Sequence, residues 1–176
     1  MRTTEIAYSA GGRRYVGFLA VDDGVAGARP GVLIGPEATG LSDVTRAVAL
    51  RLAALGYAAY AFDFLGEGKV LPLEEARAVV HPFMLDPAGI REIAAEALAV
   101  LAAQPEAAPQ RLAAIGYCFG GQAVLELARA GADLKAVAGF HAGLATTRPQ
   151  DARNIRGKVL IQTGSEDLII PQAQRN

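Results

Sequence analysis

The sequence predicts an α/β fold: a twisted, mostly parallel sheet with helices on both faces, opened by an antiparallel hairpin. Two observations carry this. Short apolar runs with strand character alternate with helical segments of ten or more residues, from Val32 to Thr163. Alternation of that kind forces parallel pairing through right-handed crossovers. Several of the runs, such as Val32-Leu33-Ile34, are unbroken, as strands buried on both faces are.

The chain opens with two strand-like segments, Thr3–Ser9 and Arg14–Val21, and Gly11-Gly12 between them supplies the turn. Arg29-Pro30-Gly31 leads into the buried strand Val32–Ile34. Ser42 is placed to cap a helix over Asp43–Leu55, and Gly56 to end it. Tyr57–Phe62 is the next strand. The stretch Leu65–Leu85 reads as irregular, being interrupted by Gly66, Gly68, Pro72 and Pro82. Pro87–Gln104 is an alanine-rich helix with Asp86 as its candidate cap. Leu112–Ile115 is a strand, Gln122–Ala130 a helix closed by Gly131, and Ala136–Phe140 and Val159–Thr163 are two further strands. With no internal repeat or linker, residues 1–176 form one domain.

Composition narrows the function. A chain of 176 residues that is 52% hydrophobic and 20% charged has the material for a sizeable core. Its formal net charge of −1 leaves no basic stripe for phosphates, so nucleic acid and anionic membrane are poor partners. The single cysteine permits no internal disulfide and suits a reducing cytoplasm. The first residues lack the apolar run of a signal peptide, and no apolar stretch approaches the roughly 18 residues of a membrane span. Abundant alanine and arginine with scarce lysine hint at a GC-rich bacterial source.

The chemistry centres on Gly116-Tyr117-Cys118-Phe119-Gly120-Gly121, lying between an apolar strand and a helix. This has the spacing of the nucleophile elbow G-x-S-x-G of α/β-hydrolases, with cysteine in place of serine. The glycines are needed because neighbouring backbone passes close to so sharp a turn. The helix N-terminus beyond Cys118 is expected to lower its thiol pKa, and the Phe119 N–H to form half of an oxyanion hole. Taken alone, a lone cysteine is more often an inert core thiol; the flanking glycines and the strand–turn–helix setting favour a nucleophile. A dinucleotide loop is excluded, because G-x-G-x-x-G needs glycine where Cys118 stands.

Four motifs, each following a strand, make the chain resemble the dienelactone hydrolase family over nearly its whole length. They are Gly35-Pro36-Glu37-Ala38-Thr39-Gly40, Asp63-Phe64-Leu65-Gly66-Glu67-Gly68, the Cys118 turn, and Gly164-Ser165-Glu166-Asp167-Leu168-Ile169-Ile170-Pro171. The resemblance implies an α/β-hydrolase that opens lactones or related carboxylic esters through an acyl-enzyme, without cofactor or metal. It implies Cys118 as nucleophile, Asp167 as the acid that orients a histidine, and Glu37 as a carboxylate contacting the resting thiol. Ala38 and Phe119 would supply the oxyanion-hole N–H groups. Bland readings stand beside these: Asp167 as a helix cap, Glu37 as a solvated loop acid, Asp63 as a loop-holding residue. Arg77 is a candidate for the substrate pocket or an exposed helix residue.

The family's histidine base lies beyond the Asp167 motif, whereas this chain has only His81 and His141. His141 ends a strand and is a candidate pocket residue and, more weakly, a replacement base; His81 reads as a surface or cap-domain residue. The expectation is therefore that the triad histidine is absent, that a final strand and helix are missing, and that the domain is incomplete at its C-terminus. Such a chain would be a hydrolase when continued, a monomer or homodimer acting on a small ester or lactone. The alternatives are a non-catalytic domain binding a ligand or partner and, more weakly, a peroxide-sensing thiol.

Overall fold

A computed structural model of the chain describes residues 1–174. Seven strands form one sheet: β1 (Arg2–Ala10), β2 (Arg13–Val21), β3 (Arg29–Gly35), β4 (Ala58–Ala61), β5 (Ala107–Tyr117), β6 (Ala136–Phe140) and β7 (Lys158–Gln162). Their spatial order is β1-β2-β4-β3-β5-β6-β7. β1 and β2 form the expected hairpin, and β2 joins β4 antiparallel. From β4 onward all neighbours are parallel. The sheet is thus parallel where crossovers connect its strands and antiparallel only along β2, which pairs with β1 through the Gly11-Gly12 turn on one side and with β4 on the other.

Four helices cover it: α1 (Asp43–Ala54), α2 (Leu73–Leu85), α3 (Ala88–Ala102) and α4 (Phe119–Arg129). Two separate apolar cores follow from the two faces. On one face Val48, Ala49 and Ala53 of α1 pack against Phe18, Val32, Ile34 and Ala59. On the other, Ile93, Ala97 and Leu101 of α3 and Val124 and Leu127 of α4 pack against Leu33, Tyr60, Leu112 and Val137. Ser42 caps α1 by accepting the Thr45 N–H at 3.3 Å. Gly56, at φ 89°, ends the same helix in a conformation that side chains disfavour. Asp86 accepts the Ala88 N–H at 3.1 Å at the start of α3.

Two expectations change. The segment 65–85 is irregular only as far as Pro72; beyond it Leu73–Leu85 is helix α2, with Pro82 inside. Proline costs a helix its N–H, but the turn survives because the Pro82 carbonyl still accepts from Asp86 at 2.9 Å. β5 is also longer than the apolar run Leu112–Ile115. It begins at Ala107 and pairs with β3 across a register shift between Pro30 and Gly31, which absorbs the exposed residues 109–111.

β7 lies at the sheet edge, and Val159 and Leu160 are exposed on it. Among the described residues no helix is long and apolar enough to cross a membrane.

Candidate active site

All four motifs meet at the C-terminal ends of the parallel strands, where open α/β sheets bind ligands. Cys118 stands between β5 and α4 at φ 53° and ψ −120°, a backbone conformation rare outside glycine. Its surroundings hold it there. Its N–H donates to the Phe140 carbonyl at 2.9 Å, and its own carbonyl receives the N–H groups of Gly121 and Gln122 at 3.1 and 3.3 Å. A methyl group on Gly116 would strike the Gly120 carbonyl, and one on Gly120 would strike the Gly35 carbonyl. The glycines of the turn are therefore required by close backbone approach, as their spacing predicts.

The Cys118 thiol is half-buried. Burial is the main influence on it and pushes its pKa up; the nearby Glu37 and Asp167 carboxylates push the same way. The backbone N–H groups of Phe119 and Ala38 both point at the sulfur and pull the pKa down. The balance is a raised value, which corrects the expectation of a lowered one. A single helix N-terminus does not outweigh desolvation when two carboxylates share the site.

Glu37 sits on the loop after β3, where the Ser42 hydroxyl donates to its Oε2 at 3.3 Å. That loop is a tight turn closed by the Gly40 N–H on the Glu37 carbonyl at 2.9 Å, and it carries Ala38. Asp167 lies on the loop after β7, with its side chain 5% exposed. Its Oδ1 accepts the N–H groups of Ile169 and Ile170, both at 2.9 Å. Its Oδ2 pairs with Nδ1 of His141. The Ile170 N–H above all, then His141 and the Ile169 N–H, hold its carboxyl down to about 2.

His141 follows β6 at φ 55°, with its N–H on the Gln162 carbonyl at 2.8 Å and its side chain 41% exposed. It is thus the imidazole that Asp167 engages among the described residues, a residue that the sequence offers as a base only weakly. His81 is exposed on α2.

Cys118, His141, Ala38 and Phe119 line one cavity of about 410 Å³. The structure adds lining that sequence reasoning missed. Leu73, Val80 and Met84 come from α2, Gln122 from α4, and Ile169 and Ile170 from the β7 loop. The signal on α2 was present, since 73, 77, 80 and 84 have the spacing of one helix face. Pro72 and Pro82 obscured it. Arg77 also reaches this cavity, but its guanidinium is exposed and pairs with Glu74 at 2.8 Å. No group of three His, Cys, Asp or Glu side chains that could hold a metal gathers among the described residues.

The family model for the dienelactone hydrolase family matches residues 16–176. The chain belongs to the dienelactone hydrolase family. Solved relatives agree. The protein m3DLH is 46% identical with a TM-score of 0.95, over 99% of this chain and 73% of its own. The dienelactone hydrolase-like promiscuous phosphotriesterase P91, from metagenomic libraries, is 39% identical with the same TM-score and coverage. A dienelactone hydrolase from Anabaena variabilis ATCC 29413 shares the fold at 22% identity and a TM-score of 0.72, over 99% of this chain and 78% of its own. A search of the curated proteins found no significant match. Membership places the chain in a hydrolase fold family, and three of the four sequence motifs supply cavity lining: Ala38 from the first, Cys118 and Phe119 from the Cys118 turn, and Ile169 and Ile170 from the last.

Proposed function

We propose that the chain hydrolyses small carboxylic esters or lactones by covalent catalysis at Cys118. The observation that carries this reading is the convergence of two backbone N–H groups, from Ala38 and Phe119, on a thiol held at a strained turn inside an apolar cavity. Two donors fixed on one point suit the negative oxygen of a tetrahedral intermediate.

In the acylation step the Cys118 thiol loses its proton and the sulfur attacks the ester carbonyl carbon. The carbonyl π electrons move onto oxygen, facing the Ala38 and Phe119 N–H groups. Collapse breaks the ester C–O bond, and the leaving alkoxide takes a proton. In a lactone that alkoxide stays tethered to the acyl group. Water then adds to the thioester and releases acid and thiol. Asp167 orients the imidazole that moves these protons. With Nδ1 of His141 engaged by Asp167, Nε2 is the nitrogen left for that task in this chain. Glu37 supplies negative charge that holds the resting thiol protonated and becomes available as a proton acceptor when substrate enters. The largely apolar lining favours substrates with a hydrocarbon flank, and Arg77 is in reach of a substrate carboxylate if it leaves Glu74.

A second reading follows from P91, whose name records phosphotriesterase activity. A phosphoryl oxygen would meet the same two N–H donors. A third is a ligand-binding domain without turnover, supported by the engagement of Asp167 with His141 in place of a base from elsewhere. Assays with p-nitrophenyl acetate and a neutral p-nitrophenyl phosphotriester separate the three. Turnover lost on iodoacetamide labelling supports the thiol mechanism. Turnover that survives complete labelling of Cys118 rules it out. Ligand binding with no turnover of either substrate favours the third reading.

A further inference from the structure

The proposed mechanism leaves unexplained what holds its two N–H donors in place, since they come from different loops. The motif Asp63–Gly68, to which no catalytic role falls, lies against both. Asp63 is 0% exposed, and among the described residues no cationic side chain pairs with its carboxylate. Its carboxylate is satisfied by backbone alone. Oδ1 accepts the N–H groups of Leu65 and Gly66 at 2.8 and 3.0 Å. Oδ2 accepts those of Gly68 and Val16 at 2.8 and 3.1 Å. Four donors on one buried carboxylate fix the loop after β4 and tie it to β2.

From this loop two contacts lead to the site. Through its far end, Val70 bridges Gly40 and the Leu71 N–H donates to the Thr39 carbonyl at 3.0 Å. These clamp the turn Glu37–Gly40 that carries the Ala38 N–H. Gly40, at φ 94°, has no room for a side chain there, because a methyl would meet the Lys69 carbonyl. Through its near end, Phe64 is fully buried and packs edge-on against Phe119, with ring centroids 4.8 Å apart. Phe119 carries the second donor.

Resting on the reading of Ala38 and Phe119 as oxyanion donors, we propose that Asp63 is the positioning residue that sets both of them over the Cys118 sulfur. It never touches the thiol. It sets one donor through the Leu71–Thr39 clamp and the other through the Phe64–Phe119 stack.

The test is the pH profile of iodoacetamide labelling of Cys118 in the full chain, which requires no turnover. Glu37, Asp167 and His141 are the titratable groups facing the thiol and remain in place. Asp63→Asn keeps the size but turns N–H hydrogens toward at least one pair of donors. The labelling midpoint is expected to move upward by roughly half to one pH unit, because the thiolate loses aligned donors. A drop in melting temperature with an unchanged midpoint assigns Asp63 to stability alone and overturns the proposal. Should Asp63→Asn fail to fold, Leu71→Pro decides, since it removes the N–H that reaches Thr39, with Leu71→Ala, which loses the same core-packed side chain but keeps that N–H, as its control. A raised midpoint in that variant supports the clamp, and an unchanged one removes it. These outcomes stay distinct from failure of the nucleophile reading, which shows as turnover surviving in Cys118→Ala.

Discussion

Two loops of this protein use the same device with opposite support. After β4, Asp63 gathers four backbone N–H groups beneath a buried Phe64. After β7, Asp167 gathers two, and its neighbours Leu168 and Ile169 are 99% and 64% exposed. The first loop lies at a strand paired on both sides and the second at the sheet edge. The proposed nucleophile and its proposed donors thus sit on the interior of the sheet, while Asp167, the carboxylate proposed for proton transfer, hangs from its border. On the proposed mechanism, preorganisation is strongest where charge would be stabilised, and the half proposed to move protons rests on fewer contacts.

The two halves meet at Cys118, so the largest effect comes from removing that meeting point. Cys118→Ala is expected to abolish iodoacetamide labelling, because the chain has no other thiol. Ester turnover should fall about a thousandfold or more, as it does when a covalent nucleophile is lost. A folded variant with near-normal turnover would move the chemistry elsewhere. Next in size, Phe64→Ala tests the buried half. It removes a fully buried ring from beneath Phe119 and should cost about 3–5 kcal/mol in denaturant unfolding. A loss under about 1 kcal/mol would show that the β4 loop is no more firmly held than the β7 loop.

Asp167→Asn tests the open half, with the reverse signature. It breaks the pairing with His141 while the exposed loop has little packing to lose. Turnover should fall by about a hundredfold or more, with a small change in melting temperature. The low pKa of Asp167, about 2, adds a pH signature. Its folded value is depressed, so its contribution is present above the ordinary aspartate range near 4 and is lost as pH falls through about 2. Protection of the Ile169 and Ile170 amides, measured against their intrinsic exchange rates, should fall in that window and not at pH 5.

The difference between the halves also explains what the sequence made legible. The mostly parallel sheet, its opening hairpin, the helices on both faces and the Cys118 turn follow from apolar runs and glycines whose requirement is steric and local. The close approach of Gly116, Gly120 and Gly35 is one that spacing alone demands. Two other features depend on distant parts of the chain. The direction of the Cys118 pKa depends first on burial, and then on Glu37 and Asp167, all of which only the fold brings about. The Asp167–His141 pair joins neighbouring strand ends 26 residues apart, and no local pattern marks it. Helix α2 was hidden for another reason. Its prolines signal a break, but docking of Ala76 and Val80 on the core supports the helix across them.

The smallest effects test how the carboxylates divide their work. Leu168→Ser should change stability by less than about 0.5 kcal/mol, since the side chain is almost wholly in solvent. Glu37→Gln should leave melting nearly unchanged too, but shift the thiol. Glu37 raises the Cys118 pKa by charge, whereas Ala38 on the same loop lowers it by its N–H. Replacing the carboxylate by the amide removes the first influence and keeps the second. The labelling midpoint should therefore move downward, by about half a pH unit, and labelling at pH 7 should quicken by roughly threefold. Asp63→Asn is expected to move the same midpoint upward. Opposite shifts from two loop carboxylates would show that Glu37 acts on the thiol through its charge and Asp63 through the donors it holds.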